Sequence, residues 1–464
     1  MTRPRIFPAR LLGAALAIGV AIAATVTVRA ITIPKVQFTE TKLPNGLRVI
    51  VSPDHAAPVV SLVVAYDVGS RNEKQGKTGF AHLFEHLMYK GSQNVADGEL
   101  AALIQNYGGD HNGQTDKDHT IYFEEVPANQ LDMVLFLEAD RMKALALTQE
   151  NLANQLEAVK EERRFRVDNQ PYGKANEQLD DLAFQNFPNK HSVIGSMSDL
   201  DTASLADFTA FYKTYYAPNN AVLAIAGDVD PSAAVEKVRK YFAAIPSGAP
   251  PPKLDDSEPP QTGEKRLTSE DPLARLVLID AGYHIPGGIG PDMDALSALA
   301  SILGTGRSSR MYDSLVRQQQ LAVQIYTGAS GSKGPSLFYL EAIAAPGKPV
   351  PQVEAAMYAE VEKIKNGPIQ DWELEKARNA AKRSLVGSLR NSLQRATLLA
   401  RYAVFYNDPG VINTRYERIA AITAADVQRV ARQYLVPENR TVVITTPKAP
   451  APGAPGAGAP GAGR

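Results

Sequence analysis

The chain has 464 residues, of which 44% are hydrophobic and 21% are charged, and its formal net charge is -1 at pH 7. This length is enough for two or three domains with full cores, and the near-zero charge, without a dense run of Lys and Arg, argues against a nucleic-acid partner. The sequence contains no cysteine, which excludes disulfides, thiolate metal sites and cysteine nucleophiles.

Residues 1–30 have the layout of a secretory signal peptide. Basic residues precede an apolar run over residues 11–28, and small residues follow it. The alternative is an uncleaved membrane anchor, because a run of this length nearly spans a bilayer. In both cases we expect the body of the protein to be exported, to the periplasm or the medium. Cleavage would leave a mature N-terminus near Ala24 or Ile31.

Two strands, over residues 47–51 and 59–66, are predicted from runs rich in β-branched residues. They lead into residues 78–91, which we interpret as a short helix with Thr78 as its N-cap and Gly91 after its end. Most apolar residues of this stretch fall on one side of the helix and would pack it into a core.

The other side of this helix carries His82, Glu85 and His86, which lie at positions i, i+3 and i+4. Two imidazoles one turn apart can bind one metal ion, and zinc favours nitrogen ligands of this kind. Glu85 is placed to act as general base for a metal-bound water. A chance meeting of these residues is the alternative, which the small number of histidines, 7 in the chain, disfavours.

Further helices are predicted over residues 99–107, 130–142 and 149–166, with a strand at residues 120–123. The last helix must supply a third ligand, because two histidines leave a catalytic zinc under-coordinated.

Two adjacent glutamates of this helix compete for the third ligand position. The helix has an apolar stripe that starts at Leu152. With about 100° per residue, Glu161 falls opposite the stripe and faces solvent, whereas Glu162 falls at its edge and can turn inward. We therefore predict Glu162 as the ligand, with a charged helix rim as the alternative.

The order His-x-x-Glu-His is that of the inverzincins. On these residues the chain resembles the pitrilysin/insulinase family of zinc peptidases, which includes the mitochondrial processing peptidases. The resemblance implies one zinc ion per chain, held by His82, His86 and Glu162, since residues 158–163 match the ligand-bearing helix of the family. Gln155 is a departure, because the family often has a glutamate at that position.

The resemblance also implies a substrate-binding role for Asn112 and Thr115. Residues 108–115 match the family's Gly-Gly-x-x-Asn-x-x-Thr stretch, which lines the site. With three ligands already assigned, His111 and His119 are not expected to bind the metal.

An internal repeat indicates two halves of similar design. Each half contains the same four residue types at the same spacing before a predicted strand: Asp207, Tyr215, Pro218 and Asn220 before residues 221–226, and Asp426, Tyr434, Pro437 and Asn439 before residues 441–445.

The domain boundaries follow from composition. We predict a zinc-bearing domain over residues 36–245, a Pro-rich linker over 246–264, an inactive repeat over 265–447 and a disordered Pro/Gly/Ala tail over 448–464.

The second domain is expected to restart with a strand over residues 275–283. The counterpart of the zinc helix, over residues 293–303, carries no ligands, so the chain is expected to have one metal site.

Together these features predict an α+β fold of two similar halves, each a mainly antiparallel sheet packed with helices. The resemblance implies that the halves enclose a chamber. The predicted function is that of an exported zinc endopeptidase acting on peptides or small unfolded proteins. The alternatives are a non-catalytic structural or binding subunit of a peptidase complex, and a peptidase dedicated to processing one exported peptide.

A partner subunit is also implied by the resemblance. The family's second half supplies an Arg and a Tyr that contact substrate, but here Val316 and Val323 occupy those positions and Arg317 lies one residue off. Valine cannot donate a hydrogen bond. We therefore expect a heterodimer with a zinc-less relative that carries the pair. The alternative is a monomer or homodimer that uses Arg317 and Tyr326.

Overall fold

The computed structural model describes residues 35–448. The predicted signal peptide and nearly all of the predicted tail therefore lie outside the described residues. Within residues 35–448, no helix has both the length and the apolar character that crossing a membrane requires.

The first half contains a six-stranded sheet with the strand order β1-β2-β6-β3-β5-β4. Its neighbouring strands are antiparallel except for β2 and β6, which run parallel. The strands are β1 (Thr39–Lys42), β2 (Arg48–Pro53), β3 (Val59–Tyr66), β4 (Asp110–Thr115), β5 (Thr120–Pro127) and β6 (Ala221–Gly227).

The second half repeats this plan with five strands in the order β7-β11-β8-β10-β9, and here β7 and β11 form the parallel pair. The strands are β7 (Lys265–Asp271), β8 (Leu278–Ile285), β9 (Ala322–Ala329), β10 (Ser336–Ala344) and β11 (Arg440–Pro447). The predicted α+β fold of two similar halves is confirmed.

Helices cover both sheets. Those of the first half are α1 (Phe80–Leu87), α2 (Glu99–Asn106), α3 (Leu131–Lys143), α4 (Gln149–Arg163), α5 (Ala175–Ala183), α6 (Phe187–Lys190), α7 (Met197–Asp201), α8 (Leu205–Tyr215) and α9 (Pro231–Phe242). Those of the second half are α10 (Pro291–Gly304), α11 (Val350–Asn366), α12 (Asp371–Arg390), α13 (Ser392–Tyr406), α14 (Arg415–Ala421) and α15 (Ala424–Tyr434).

The repeat extends to individual contacts. The side-chain amide of Asn220 donates to the carbonyl of Tyr215 at 2.9 Å, and that of Asn439 donates to the carbonyl of Tyr434 at 2.8 Å. Both asparagines therefore close the same turn between a helix and the last strand of their half.

The two halves exchange covering helices. Helix α13 of the second half packs on the first sheet, where Leu399 joins Ile50 and Val63 in one buried cluster. Helix α5 of the first half packs on the second sheet, where Leu179 meets Leu337. Strand β3 is therefore covered on both faces, which explains its nearly continuous apolar sequence.

Three local predictions were wrong. Strand β7 was missed, because its sequence KRLTSED is polar and only partly buried. The predicted strand over residues 275–283 is β8, which begins three positions later, at Leu278. The helix predicted over residues 149–166 ends at Arg163 and continues as a π-helical turn, Arg164–Asp168.

Candidate metal centre

Helix α1 is anchored at its N-terminus by a carboxylate. Gly79 precedes the helix in the left-handed region (φ 86°). The buried Glu73 accepts hydrogen bonds from the backbone N–H groups of Gly79 at 3.0 Å and Ala81 at 2.7 Å. Burial raises the pKa of Glu73, although these hydrogen bonds oppose the shift. The expected cap Thr78 is therefore wrong; its hydroxyl donates instead to Asp199 at 2.6 Å.

The histidines of α1 and a glutamate of α4 converge on one point. Nε2 of His82 lies 3.6 Å and Nε2 of His86 lies 3.3 Å from Oε2 of Glu162. Ligands of a tetrahedral zinc, each at about 2.0–2.2 Å from the ion, are separated by roughly 3.3–3.5 Å. The three residues fit a zinc ion, and within the described part of the chain they are the one group of three or more such residues close enough to share a metal.

The electrostatics of these residues also suit a cation. Burial lowers the pKa of His82 to about 4, with His86 contributing, so the imidazole is neutral, as a metal ligand must be. Burial also acts to lower the pKa of His86, but the hydrogen bond to Glu162 and the negative charges of Glu85 and Glu162 together outweigh it and raise the pKa. The same hydrogen bond lowers the pKa of Glu162, so this carboxylate is ionised.

Glu85 lies beside the metal ligands and is only 9% exposed. The Thr115 hydroxyl donates to its Oε2 at 2.5 Å. Burial raises the pKa of Glu85, and the Thr115 hydrogen bond opposes that shift. Gly113 makes room for the side chain, since a Cβ at this position would lie 2.9 Å from Cγ of Glu85. Strand β4 thus fixes the orientation of the candidate base.

The two competing glutamates differ in their surroundings. The side chain of Glu161 is 71% exposed and pairs with Arg164, whereas that of Glu162 is 16% exposed and faces the histidines. Oε1 of Glu162 also lies 2.8 Å from Arg166, in the π-helical turn after α4. Sequence reasoning did not single out Arg166, although positions 162 and 166 are one helical turn apart.

The other sequence candidates are spread along β4 and its turn. Asn112 is exposed and alternates along the strand with Gly113 and Thr115, so it lies on the face away from Glu85. His111 packs against the Tyr89 ring, with centroids 5.6 Å apart. His119 pairs with Asp116 at 2.6 Å. Neither histidine belongs to the metal-binding group.

Two family models match this chain. Residues 48–196, which carry α1 and α4, match the model described as insulinase (peptidase family M16), and residues 202–381 match the peptidase M16 inactive domain. The chain belongs to peptidase family M16. This confirms the resemblance to the pitrilysin/insulinase peptidases.

Several relatives cover most of the chain. Zinc protease PqqE of Helicobacter pylori is 32% identical over 87% of this chain and 92% of its own length. The crystal structure of a protease from Helicobacter pylori has a TM-score of 0.85 at 31% identity, covering 89% of this chain and 100% of that chain. A protein of Arabidopsis thaliana named as a probable mitochondrial-processing peptidase subunit beta is 26% identical over 85% of this chain and 76% of its own length.

The segment that corresponds to the Arg/Tyr pair lies around the start of β9, in the part that matches the M16 inactive domain. Val323 is 48% exposed and Tyr326 is 53% exposed. The side chain of Arg317 is 66% exposed and pairs with Asp313 at 3.1 Å. Gln320, which lies between Arg317 and Val323, has a φ of 52°, so the chain turns sharply before β9.

Sequence reasoning missed the residues that hold the two ligand-bearing helices in place. The buried Arg163 donates to Glu177 at 2.7 Å and to the carbonyl of Gly195 at 2.6 Å. Gly195 lies directly against the backbone of Gly79. This contact chain ties the end of α4 to the start of α1, and no local pattern in the sequence could have revealed it.

Proposed function

We propose that this chain is a zinc-dependent endopeptidase that hydrolyses peptides or small unfolded proteins. The observation that carries the proposal is the convergence of the His82 and His86 nitrogens on a carboxylate oxygen of Glu162, with Glu85 buried next to them. The zinc protease names of the relatives support zinc as the metal. The predicted domain boundaries and the roles of the site residues belong to the same proposal.

The residues of the chain divide the chemistry between them. His82, His86 and Glu162 would hold the zinc, which when bound supplies Lewis-acid activation of water and of the scissile carbonyl. Glu85 accepts a proton from the attacking water and passes it to the leaving amine. Thr115 holds one carboxylate oxygen of Glu85, which keeps the base in one orientation. Burial of Glu85 raises its pKa, which makes the carboxylate a stronger base.

Substrate recognition is proposed at strand β4. This strand is the edge of the first sheet, so one side of its backbone has no partner strand within residues 35–448. A peptide added there as a further strand would lie next to Glu85, and backbone pairing would make recognition broad in sequence. Asn112 and Thr115 lie on this strand and keep their proposed roles in substrate binding, with the Thr115 side chain on the face of Glu85 and the Asn112 side chain on the opposite face.

The experiment that tests the proposal compares the wild type with Glu85→Gln. Glu85 is not a ligand, so the variant should keep its zinc and its melting temperature but lose roughly a hundredfold or more in turnover of an unstructured peptide mixture. Metal analysis and peptide hydrolysis measure the two properties. Full activity of Glu85→Gln would remove Glu85 from the mechanism, and a zinc-loaded wild type that stays inactive even with an added zinc-less partner chain would favour a non-catalytic subunit.

We also propose export and a partner subunit. Export is tested by sequencing the N-terminus of the mature protein, and a soluble cytoplasmic form that starts at Met1 or Thr2 would contradict it.

The proposed partner is a homologous zinc-less chain that carries the Arg/Tyr pair. The Arabidopsis relative is named as a subunit, which supports this proposal. Adding such a chain should increase peptide hydrolysis. High activity of the isolated chain together with a large loss in Arg317→Ala would refute the partner.

A further inference from the structure

A small cavity lies where the first half meets the second sheet. It has a volume of about 140 Å³ and is lined on one side by Tyr172 and Asn176, at the start of α5. On the other side it is lined by Gln324 and Tyr326 of β9 and by Glu341 of β10. It is therefore separate from the metal ligands and is formed by residues of both halves.

A buried carboxyl group lies on the second sheet next to the cavity residue Glu341. Asp280 of β8 is directly opposite Glu341 in the antiparallel register, so both side chains lie on the same face of the sheet. Leu278, two positions before Asp280 and on the same face, lines the cavity itself. Asp280 is only 1% exposed, and among the described residues neither of its carboxylate oxygens has a hydrogen-bond partner.

No cation in the described structure compensates these acids. Burial raises the pKa of Asp280 well above its usual range, and the neighbouring Glu341 and Asp180 raise it further. Lys117, the nearby base, is already paired with Asp180 at 2.6 Å. Glu341 has no hydrogen bond or ion pair within residues 35–448, and burial raises its pKa as well. Burying such groups without a partner is costly.

We propose that this cavity binds the cationic side chain of a peptide, lysine or arginine, with Glu341 and Asp280 as the acidic groups. The proposal rests on the proposed peptidase function. A guanidinium or ammonium group would satisfy the acids, while the rings of Tyr172 and Tyr326 flank the apolar stem. A calcium or magnesium ion needs about six oxygen ligands, more than these two carboxylates supply.

The position of the cavity suits a substrate side chain. Gln324 and Tyr326 belong to β9, the edge strand of the second sheet. A peptide along the free edge of β9 would direct alternate side chains to the face that holds Glu341. Tyr326 is 53% exposed, so the cavity is accessible from this edge.

Binding of two matched peptides tests the proposal. The probes are a fluorescent Gly/Ser peptide with one arginine and the same peptide with citrulline, which is a neutral analogue of similar shape. The full chain carries Glu85→Gln to prevent cleavage. We expect the arginine peptide to bind about tenfold or more tightly than the citrulline peptide, because a charge-assisted hydrogen bond is lost. Glu341→Gln and Asp280→Asn should reduce this ratio towards one, whereas Glu375→Gln, an exposed acid of α12, should not change it.

The outcomes distinguish a binding role of the cavity residues from a structural role, and they test this role separately from the peptidase function. Equal affinities for the two peptides, or an unchanged ratio in Glu341→Gln, would overturn the proposal. So would a large loss of melting temperature in Asp280→Asn with the ratio preserved, since this would show a structural role. The measurement needs no turnover, so an arginine preference in the Glu85→Gln chain, found together with a zinc-loaded wild type that hydrolyses no peptide with or without the partner subunit, would refute the peptidase function and leave the cavity proposal standing.

Discussion

The third metal ligand offers the sharpest test of the site, because two adjacent glutamates provide a matched pair of variants. Glu162→Gln removes a charged oxygen that lies 3.3 and 3.6 Å from the two histidine nitrogens. Glu161→Gln makes the same chemical change at a side chain that is 71% exposed and pairs with Arg164.

The expected magnitudes differ widely. Apparent binding free energies of about 10–16 kcal/mol for protein zinc sites correspond to roughly 3 kcal/mol for each of four ligands. Loss of Glu162 should therefore weaken zinc about a hundredfold or more. The exposed Glu161–Arg164 pair contributes at most about 1 kcal/mol to folding and nothing to the metal.

The assay is a competition of each purified variant against a chromogenic zinc chelator, with the melting temperature recorded as a control for folding. We expect wild-type affinity in Glu161→Gln and a large loss in Glu162→Gln, with similar melting temperatures of both metal-free proteins. Loss of zinc in Glu161→Gln with normal affinity in Glu162→Gln would refute the assignment and the helical-wheel reasoning behind it.

Two further predictions follow from close contacts. Gly113→Val would place a Cβ 2.9 Å from Cγ of Glu85 and displace the base. Turnover should therefore fall at least about tenfold while zinc content stays normal. Unchanged turnover would mean that β4 does not orient Glu85. Arg71→Ala removes a guanidinium that is 1% exposed and lies 3.1 Å from Asp118. The uncompensated buried carboxylate should cost about 3–5 kcal/mol, seen as a lower midpoint in denaturant unfolding, and an unchanged midpoint would contradict this.

The parts of the site that the sequence predicted depend on local periodicity. His82, Glu85 and His86 share a helix face through their spacing alone, and the apolar stripe of α4 distinguishes Glu162 from Glu161. The structure brings these residues together, although their roles stay predictions until metal and activity are measured.

The parts that were not predictable depend on contacts between distant segments. Strand β4, with the sequence DHNGQT, has no apolar alternation and is a strand because it pairs with β5. Glu73 caps α1 from outside the helix, so no N-cap residue type marks it. Asp280 lacks hydrogen-bond partners among the described residues because of the side chains that α5 and β10 place around it. These segments are distant in sequence, so the sequence of β8 alone does not reveal this.

The exchanged helices give a physical reason for a second half without metal ligands. Ile50, Val63 and Ala224 of the first sheet are fully buried, and they lie in one cluster with residues of α13. Burial of a large apolar side chain contributes about 1.5–3 kcal/mol, so uncovering this face would cost much of the stability of a typical domain. The first sheet, which carries β4 beside Glu85, therefore depends on the second half for its cover. A second half without metal ligands can still cover the first sheet, because α13 packs through apolar residues and not through the positions that would bind a metal.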